Sequence, residues 1–125
     1  MNKLWMLAAL VPAVAFGQEA APVCRCQAQC SAMWAQATKD VENASGMRLR
    51  IATDALLETY VSNSASRQTG TVTKTPVGDG SYQIELALEP WVRGQKDVQG
   101  VIAQNIAHFN QRQNAIAEAT KCPAG

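Results

Sequence analysis

The sequence predicts an α+β domain in which a helix at each end packs on an antiparallel sheet of three to four strands arranged as a meander. Near both ends, apolar residues recur at steps of three and four, as on one side of a helix. In the middle, apolar and polar residues alternate, as in strands that bury one face. Four cysteines lie near the two ends of this pattern, so we expect disulfides to staple the domain.

The first predicted helix covers residues 26–44. Gly46 suits a left-handed helix end, so the helix is expected to stop there. Trp34 is expected in the core. The apolar stripe of this helix consists of Cys26, Cys30, Met33, Trp34, Ala37, Val41 and Ala44.

Strand patterns follow this helix. Residues 53–61 fit either a short helix or a strand, and we favour a strand because β-branched and aromatic residues crowd its second half. The chain would turn near Thr53 and Asp54. Residues 47–52 alternate, with Met47, Leu49 and Ile51 predicted on one side and Arg48, Arg50 and Ala52 on the other.

The clearest strand covers residues 82–89, where large apolar side chains occupy every second position. Residues 71–77 are rich in β-branched side chains and predict the preceding strand. Between them, residues 78–81 contain two glycines, which adopt positive φ without strain and predict a tight turn. We therefore expect a hairpin here, whereas residues 62–70 predict a loop and residues 18–23 a mobile lead.

The last predicted helix is capped by Asp97 and runs to about Thr120. Because each helix has one apolar stripe and the strands have one apolar face, both helices are expected to cover the same face of the sheet. The other face would stay polar and open to water or to a partner. The stripe of the last helix consists of Val98, Ile102, Ile106, Phe109 and Ile116.

Geometry separates the three possible pairings of the four cysteines. In an intact helix, residues four apart hold their Cβ atoms ~5–6 Å apart, whereas a disulfide needs about 3.8 Å, so a Cys26–Cys30 bond is disfavoured. A Cys24–Cys26 bond would close a small, strained ring. We therefore predict Cys24–Cys30 and Cys26–Cys122. A zinc site built from all four sulfurs and a redox-active pair are weaker alternatives, because the spacing lacks the short paired motifs of either.

Residues 1–17 have the pattern of a secretory signal peptide, with Lys3 before an apolar run over residues 4–16 and small residues at its end. The run is shorter than the about 20 residues that span a bilayer. Cleavage before Gln18 is therefore favoured over a retained anchor. We expect residues 18–125 to form one exported domain without a transmembrane helix, in the bacterial periplasm or, second, the extracellular medium.

The composition argues against several classes of function. The chain has 11 Lys and Arg against 10 Asp and Glu, so it lacks the excess basic charge typical of nucleic-acid-binding domains. Sequence motifs for nucleotide binding, zinc proteases and serine hydrolases do not occur. The single histidine, His108, is expected on a helix flank or at the surface. We therefore expect no enzyme activity, cofactor or metal, and an enzyme that depends on His108 is the weakest alternative.

The remaining candidates for function are surface residues. Charged side chains on an open sheet face can orient a protein partner, and a carboxylate at a hairpin tip is accessible. A tryptophan just after the last strand either closes the core or anchors an interface, where this residue type is enriched. The candidate interaction residues are therefore Arg48, Arg50, Asp79, Glu85 and Trp91.

Size, export and the lack of catalytic groups favour a binding protein that acts by protein–protein contact in the bacterial envelope. A periplasmic inhibitor or immunity protein is the most concrete version of this prediction. A structural or accessory component of an envelope assembly is the alternative.

Overall fold

A computed structural model describes residues 20–93 and 95–123, and the predicted leader lies outside this part of the chain. One turn of 3-10 helix, Lys96–Val98, precedes the last helix. The predicted α+β class is confirmed, as is the preference for a strand within residues 53–61. The other elements, in chain order, are β1 (Val23–Cys24), α1 (Gln27–Ser45), β2 (Leu49–Ala52), β3 (Leu56–Thr59), β4 (Gln68–Gly78), β5 (Ser81–Pro90) and α2 (Gln99–Ala119).

The five strands form one antiparallel sheet in the order β1-β5-β4-β3-β2. The predicted number of three to four strands is wrong, because β1 adds an edge strand where a mobile lead was expected. Its two residues pair with Tyr82 and Gln83 of β5. The Ile84 N–H also donates to the Pro22 carbonyl at 2.9 Å. A two-residue strand is too short to show an alternating pattern, so periodicity could not reveal it.

The hydrophobic core lies between the two helices and one face of the sheet. On this face, Val72 of β4 is paired with Leu86 of β5, and both are buried. A Cβ added at Gly70 would lie 2.9 Å from Cγ2 of Val41, so a residue without a side chain is needed for α1 to approach the sheet. The core consists of Cys24, Cys30, Met33, Ala37, Val41, Leu57, Val72, Ile84, Leu86, Leu88, Val98, Ile102 and Phe109.

β2 departs from the predicted alternation at a β-bulge. Leu49 lies opposite Thr59, whereas Ile51 lies opposite Glu58. Adjacent residues of β3 point to opposite faces, so Leu49 and Ile51 lie on opposite faces rather than together. The bulge also brings Arg50 to Glu58, where an Nη2–Oε2 distance of 3.3 Å forms an ion pair on the open face.

Both predicted disulfides, Cys24–Cys30 and Cys26–Cys122, are confirmed. The second joins the residue just before α1 to the chain just after α2, across a sequence separation of 96. Because the two bonds use all four sulfurs, the alternative of a zinc site with four thiolates is wrong.

α1 and α2 pack side by side along a contact that begins at the Cys26–Cys122 bond, which we call the helix seam. Polar side chains of one helix bond to the other helix at four levels along it. The contacts are Gln29 Nε2 donating to the Ala117 and Thr120 carbonyls at 2.8 and 3.0 Å, Gln113 Nε2 to the Met33 carbonyl at 2.8 Å, Arg112 Nε to Asp40 Oδ2 at 3.1 Å, and Asn105 Nδ2 to the Ala44 carbonyl at 3.2 Å.

α2 begins differently from the prediction. Asp97 lies inside the 3-10 turn, and the residue that flanks α2 is Val98, which has no side-chain cap. The prediction that Asp97 caps this helix is therefore wrong, because the turn shifts the cap and the helix start by one residue. The apolar stripe lies on the core side as predicted, with Val98, Ile102 and Phe109 buried and Ile106 and Ile116 half-buried.

Candidate functional site

One end of the sheet carries exposed apolar and basic side chains, and we call it the strand-end surface. Because neighbouring strands are antiparallel, β2 and β4 begin here while β3 and β5 end. Gln68 of β4 lies opposite Pro90 of β5, so the residues just beyond this pair are neighbours across the sheet. The strand-end surface consists of Arg48, Tyr60, Val61, Arg67, Trp91 and Val92.

The apolar members of this surface are more than half exposed. Isolated exposed apolar residues are ordinary, but an exposed cluster marks an interaction site. Of the six large hydrophobic residues that are exposed in the described chain, only Val77 and Val101 lie elsewhere. The exposed fractions at the strand-end surface are 52% for Tyr60, 74% for Val61, 54% for Trp91 and 51% for Val92.

Val61 is exposed on an anchored backbone rather than on a loosely held loop. The next residue, Ser62, is buried, and its N–H donates to Thr69 Oγ1 at 2.8 Å. Its hydroxyl lies 2.6 Å from the Arg67 carbonyl and 3.1 Å from the Ser64 carbonyl. These bonds fix the chain direction after β3, so the position of Val61 is set before any partner arrives.

Two arginines flank the apolar residues. Arg48 and Arg67 line a shallow depression of about 380 Å³ together with Tyr60. The Tyr60 N–H donates to the Arg48 carbonyl at 2.9 Å, which holds the two segments together. Within residues 20–93 and 95–123, neither guanidinium has a carboxylate within 4.0 Å. In the described chain, the two arginines of the strand-end surface therefore form no ion pair.

The five candidate interaction residues lie in three separate places. Arg48 and Trp91 belong to the strand-end surface. Arg50 and Glu85 lie on the open sheet face, where Arg50 is paired with Glu58 and Glu85 lies opposite a threonine. Asp79 lies at the far end of β5, at the hairpin tip, with φ 54°. The 10 residues of β5 separate Asp79 from Trp91 by about 30 Å at ~3.4 Å per residue, so the five residues do not form one contact patch.

His108 lies on the outer side of the helix pair and is exposed, as predicted. It lines a cleft of about 210 Å³ that also contains Asp40 and Arg112. The Asp40 carboxylate accepts bonds from Arg112 and from Gln36 at 2.9 Å, and in the described chain no hydrogen bond joins it to His108. The polar groups of this cleft therefore serve the contact between α1 and α2.

Tyr60, Val61, Arg67 and Val92 were not among the residues predicted to bind. The alternating pattern of residues 53–61 placed Val61 inside a strand, but β3 ends at Thr59. One signal was available in the sequence. A polar loop starts at Ser62, directly after two large apolar residues, and a second apolar pair follows Pro90.

Comparison with protein-family models, with curated proteins and with solved structures finds no match to this chain. In the described ranges, no group of three or more His, Cys, Asp or Glu side chains is placed to hold a metal ion. Neither α1 nor α2 is long and apolar enough to cross a membrane. The strand-end surface is therefore the feature of the described chain that points most directly to a binding role.

Proposed function

We propose that this protein is a small exported binding domain that contacts another protein through the strand-end surface. The observation that carries the proposal is that two apolar pairs, Tyr60 with Val61 and Trp91 with Val92, are more than half exposed just beyond β3 and β5, at the same end of the sheet. Trp, Tyr and Arg are the residue types that contribute most of the binding energy in protein interfaces. The strand-end surface combines all three.

The positive charge of this surface indicates which surface charge its partner would carry. Arg48 and Arg67 flank the apolar residues and form no ion pair in the described chain, so a partner with carboxylates around an apolar pocket would match both features. Trp91 would fill that pocket, and the arginines would pair with the carboxylates at the rim. Rim charges of this kind chiefly set orientation and association rate.

The proposed location is the bacterial envelope. A leader pattern in residues 1–17 supports export, and the disulfides support an oxidising compartment. A periplasmic inhibitor or immunity protein is the version of this function that fits a small, rigid domain presenting one contact surface. If the leader is removed, mass measurement of the native protein will show a chain that starts at Gln18.

Photo-cross-linking in native envelopes tests the contact. Trp91 is replaced by p-benzoylphenylalanine, and the control places the same amino acid at Glu118, an exposed position on α2. We expect one discrete protein product from position 91 and none from position 118.

A charge test accompanies the cross-link. Arg48→Glu combined with Arg67→Glu is expected to lower the yield of this product, whereas Arg25→Glu, an exposed arginine near the start of α1, leaves it unchanged. The proposal is wrong if position 91 gives no product, or if positions 91 and 118 give the same products. Capture through the open sheet face alone would support the alternative of an envelope assembly component.

A further inference from the structure

A second concave surface lies at the other end of the sheet, between α1 and the β4–β5 hairpin, and we call it the aromatic groove. It has a volume of about 870 Å³, within the range of small-molecule clefts. Trp34 of α1 and Tyr82 of β5 line it, together with Lys74, Pro76 and Asp54. A largely apolar cleft with a few polar groups is the usual form of a ligand site.

A hydrogen bond fixes the orientation of Trp34 in the aromatic groove. The Trp34 indole Nε1–H donates to the Thr53 carbonyl at 2.8 Å, across 19 residues of sequence. The expectation that Trp34 lies in the core is met in part, because the residue packs against the core but is only half-buried and also lines the groove. A ligand would meet an aromatic surface whose orientation is already fixed, which lowers the entropic cost of binding.

Lys74 breaks the pattern of the sheet face that the helices cover. Val72 is buried on this face, and Lys74 lies opposite Ile84, which is also buried. Its ammonium lies 5.3 Å from the ring centroids of both Trp34 and Tyr82. Lys74 is half-buried and the next residue on this face, Pro76, is exposed, so the lysine lies where the covered face of the sheet meets the groove.

The Lys74 ammonium is stabilised by the two rings but not neutralised. Cation–π contacts contribute ~0.5–1 kcal/mol each at partly exposed sites. No carboxylate of the described residues lies within 4.0 Å of the Lys74 ammonium. This includes the carboxylate of Asp54, which lines the same groove. The groove therefore presents one unpaired cation beside aromatic surface.

We propose that the aromatic groove binds a small organic carboxylate, with the carboxylate at Lys74 and the body of the ligand against Trp34 and Tyr82. A charge-assisted bond to an ammonium is about twice as strong as a neutral one. Asp54 disfavours a second negative charge and can accept a bond from an N–H or O–H of the ligand. Two sources fit this chemistry, namely the end of a peptide and an acidic sugar.

Two pairs of probes test the site and distinguish its sources. The peptide pair is N-acetyl-phenylalanyl-alanine and its C-terminal amide, and the sugar pair is the 1-O-methyl glycoside of galacturonate and its methyl ester, so that each acid carries one carboxylate. The Trp34 indole resonance of ¹⁵N-labelled protein reports binding. We expect the acid of one pair to shift this resonance with saturation, and its neutral twin to bind at least tenfold more weakly.

Variants of the full chain assign the effect to Lys74. Lys74→Met keeps the aliphatic stem and should weaken acid binding at least tenfold, whereas Lys74→Arg retains it. Lys39→Met, at an exposed lysine of α1 outside the groove, is the matched control and should leave binding unchanged. Saturable binding by one acid identifies the source of the ligand.

The inference is overturned if neither acid binds wild-type protein, if the neutral twins bind equally well, or if Lys74→Met binds as wild type does. These outcomes are independent of the proposed protein contact, because the groove and the strand-end surface lie at opposite ends of β4. Lys74→Met should leave the cross-link from position 91 unchanged.

Discussion

The helix seam buries polar side chains, whereas the strand-end surface exposes apolar ones. Along the seam, Gln29, Asp40 and Gln113 are buried, and each bonds to the other helix. At the strand-end surface, Trp91 and Val61 are exposed without a partner in the described chain. Buried polar groups that find partners stabilise a fold, whereas clustered exposed apolar groups cost free energy in the isolated molecule. We therefore expect the helix seam to stabilise the fold and the strand-end surface to bind a partner.

The largest expected effect tests the covalent end of the helix seam. Removing the Cys26–Cys122 bond with Cys26→Ser and Cys122→Ser releases a loop with a sequence separation of 96, and should lower the free energy of unfolding by about 4–5 kcal/mol. Removing Cys24–Cys30, whose separation is 6, should cost about 2–2.5 kcal/mol by the same loop-entropy relation. Urea denaturation measures both. Equal losses would show that the long loop does not dominate.

The next prediction compares two glutamines of the helix seam that differ in how many of their polar atoms are hydrogen-bonded. Gln29 donates to the carbonyls of Ala117 in α2 and Thr120 just after it, and accepts from the Arg25 N–H at 2.8 Å, so Gln29→Met should cost about 2 kcal/mol. Gln113 makes one bond, and its buried Oε1 has no acceptor role in the described chain. Gln113→Met should therefore cost less than about 1 kcal/mol. A larger loss at Gln113 than at Gln29, measured by urea denaturation, would reverse this ranking.

A pair of glycines tests the packing of α1 on the sheet. Gly70→Ala places a Cβ against Val41 and should destabilise the fold by about 1–3 kcal/mol. Gly100 lies in the first turn of α2 with open space around it, so Gly100→Ala should stabilise the protein by ~0.5–1 kcal/mol. Thermal unfolding of both variants measures the difference. A Gly70→Ala variant as stable as wild type would mean that α1 can move away from the sheet.

The smallest expected effect on stability lies at the strand-end surface. Trp91→Ala and Tyr60→Ala should each change the free energy of unfolding by no more than about 0.5 kcal/mol, because both side chains are more than half exposed. Phe109→Ala, in the core, is the contrasting variant and should cost ~3–5 kcal/mol. Calorimetry of the three variants measures these differences. A loss at Trp91 that approaches the loss at Phe109 would mean that the tryptophan supports the fold rather than an interface.

The sequence was sufficient for features that follow from local spacing. The cysteine pairing followed from distances within a helix and a small ring, and the hairpin followed from alternation around two glycines. Three features needed the whole fold. β1 forms where Val23 and Cys24 pair with the edge of β5. The bulge at Arg50 shifts the register of β2 by one residue, which moves Ile51 to the other face of the sheet. The helix start depends on the 3-10 turn that contains Asp97.

Only part of the strand-end surface could be predicted, because local spacing does not show which strands are neighbours. Arg48 and Trp91 could be nominated from residue type and their place beside predicted strands. That they lie at the same end of the sheet as Tyr60, Val61 and Arg67 could not be predicted, because it depends on where β3 ends and on which strands are neighbours. Asp79 and Glu85 have the expected exposure but lie elsewhere on the sheet.

The affinity of Trp91→Ala for the protein cross-linked at position 91 is the most direct test of the strand-end surface. If Trp91 anchors the interface, the Kd of the Trp91→Ala variant for this protein should be higher than that of wild type by about 30-fold or more, equivalent to ~2 kcal/mol. Glu118→Ala should bind as wild type does. An unchanged Kd for Trp91→Ala, together with a large loss for Glu85→Ala, would contradict this assignment and move the contact to the open sheet face.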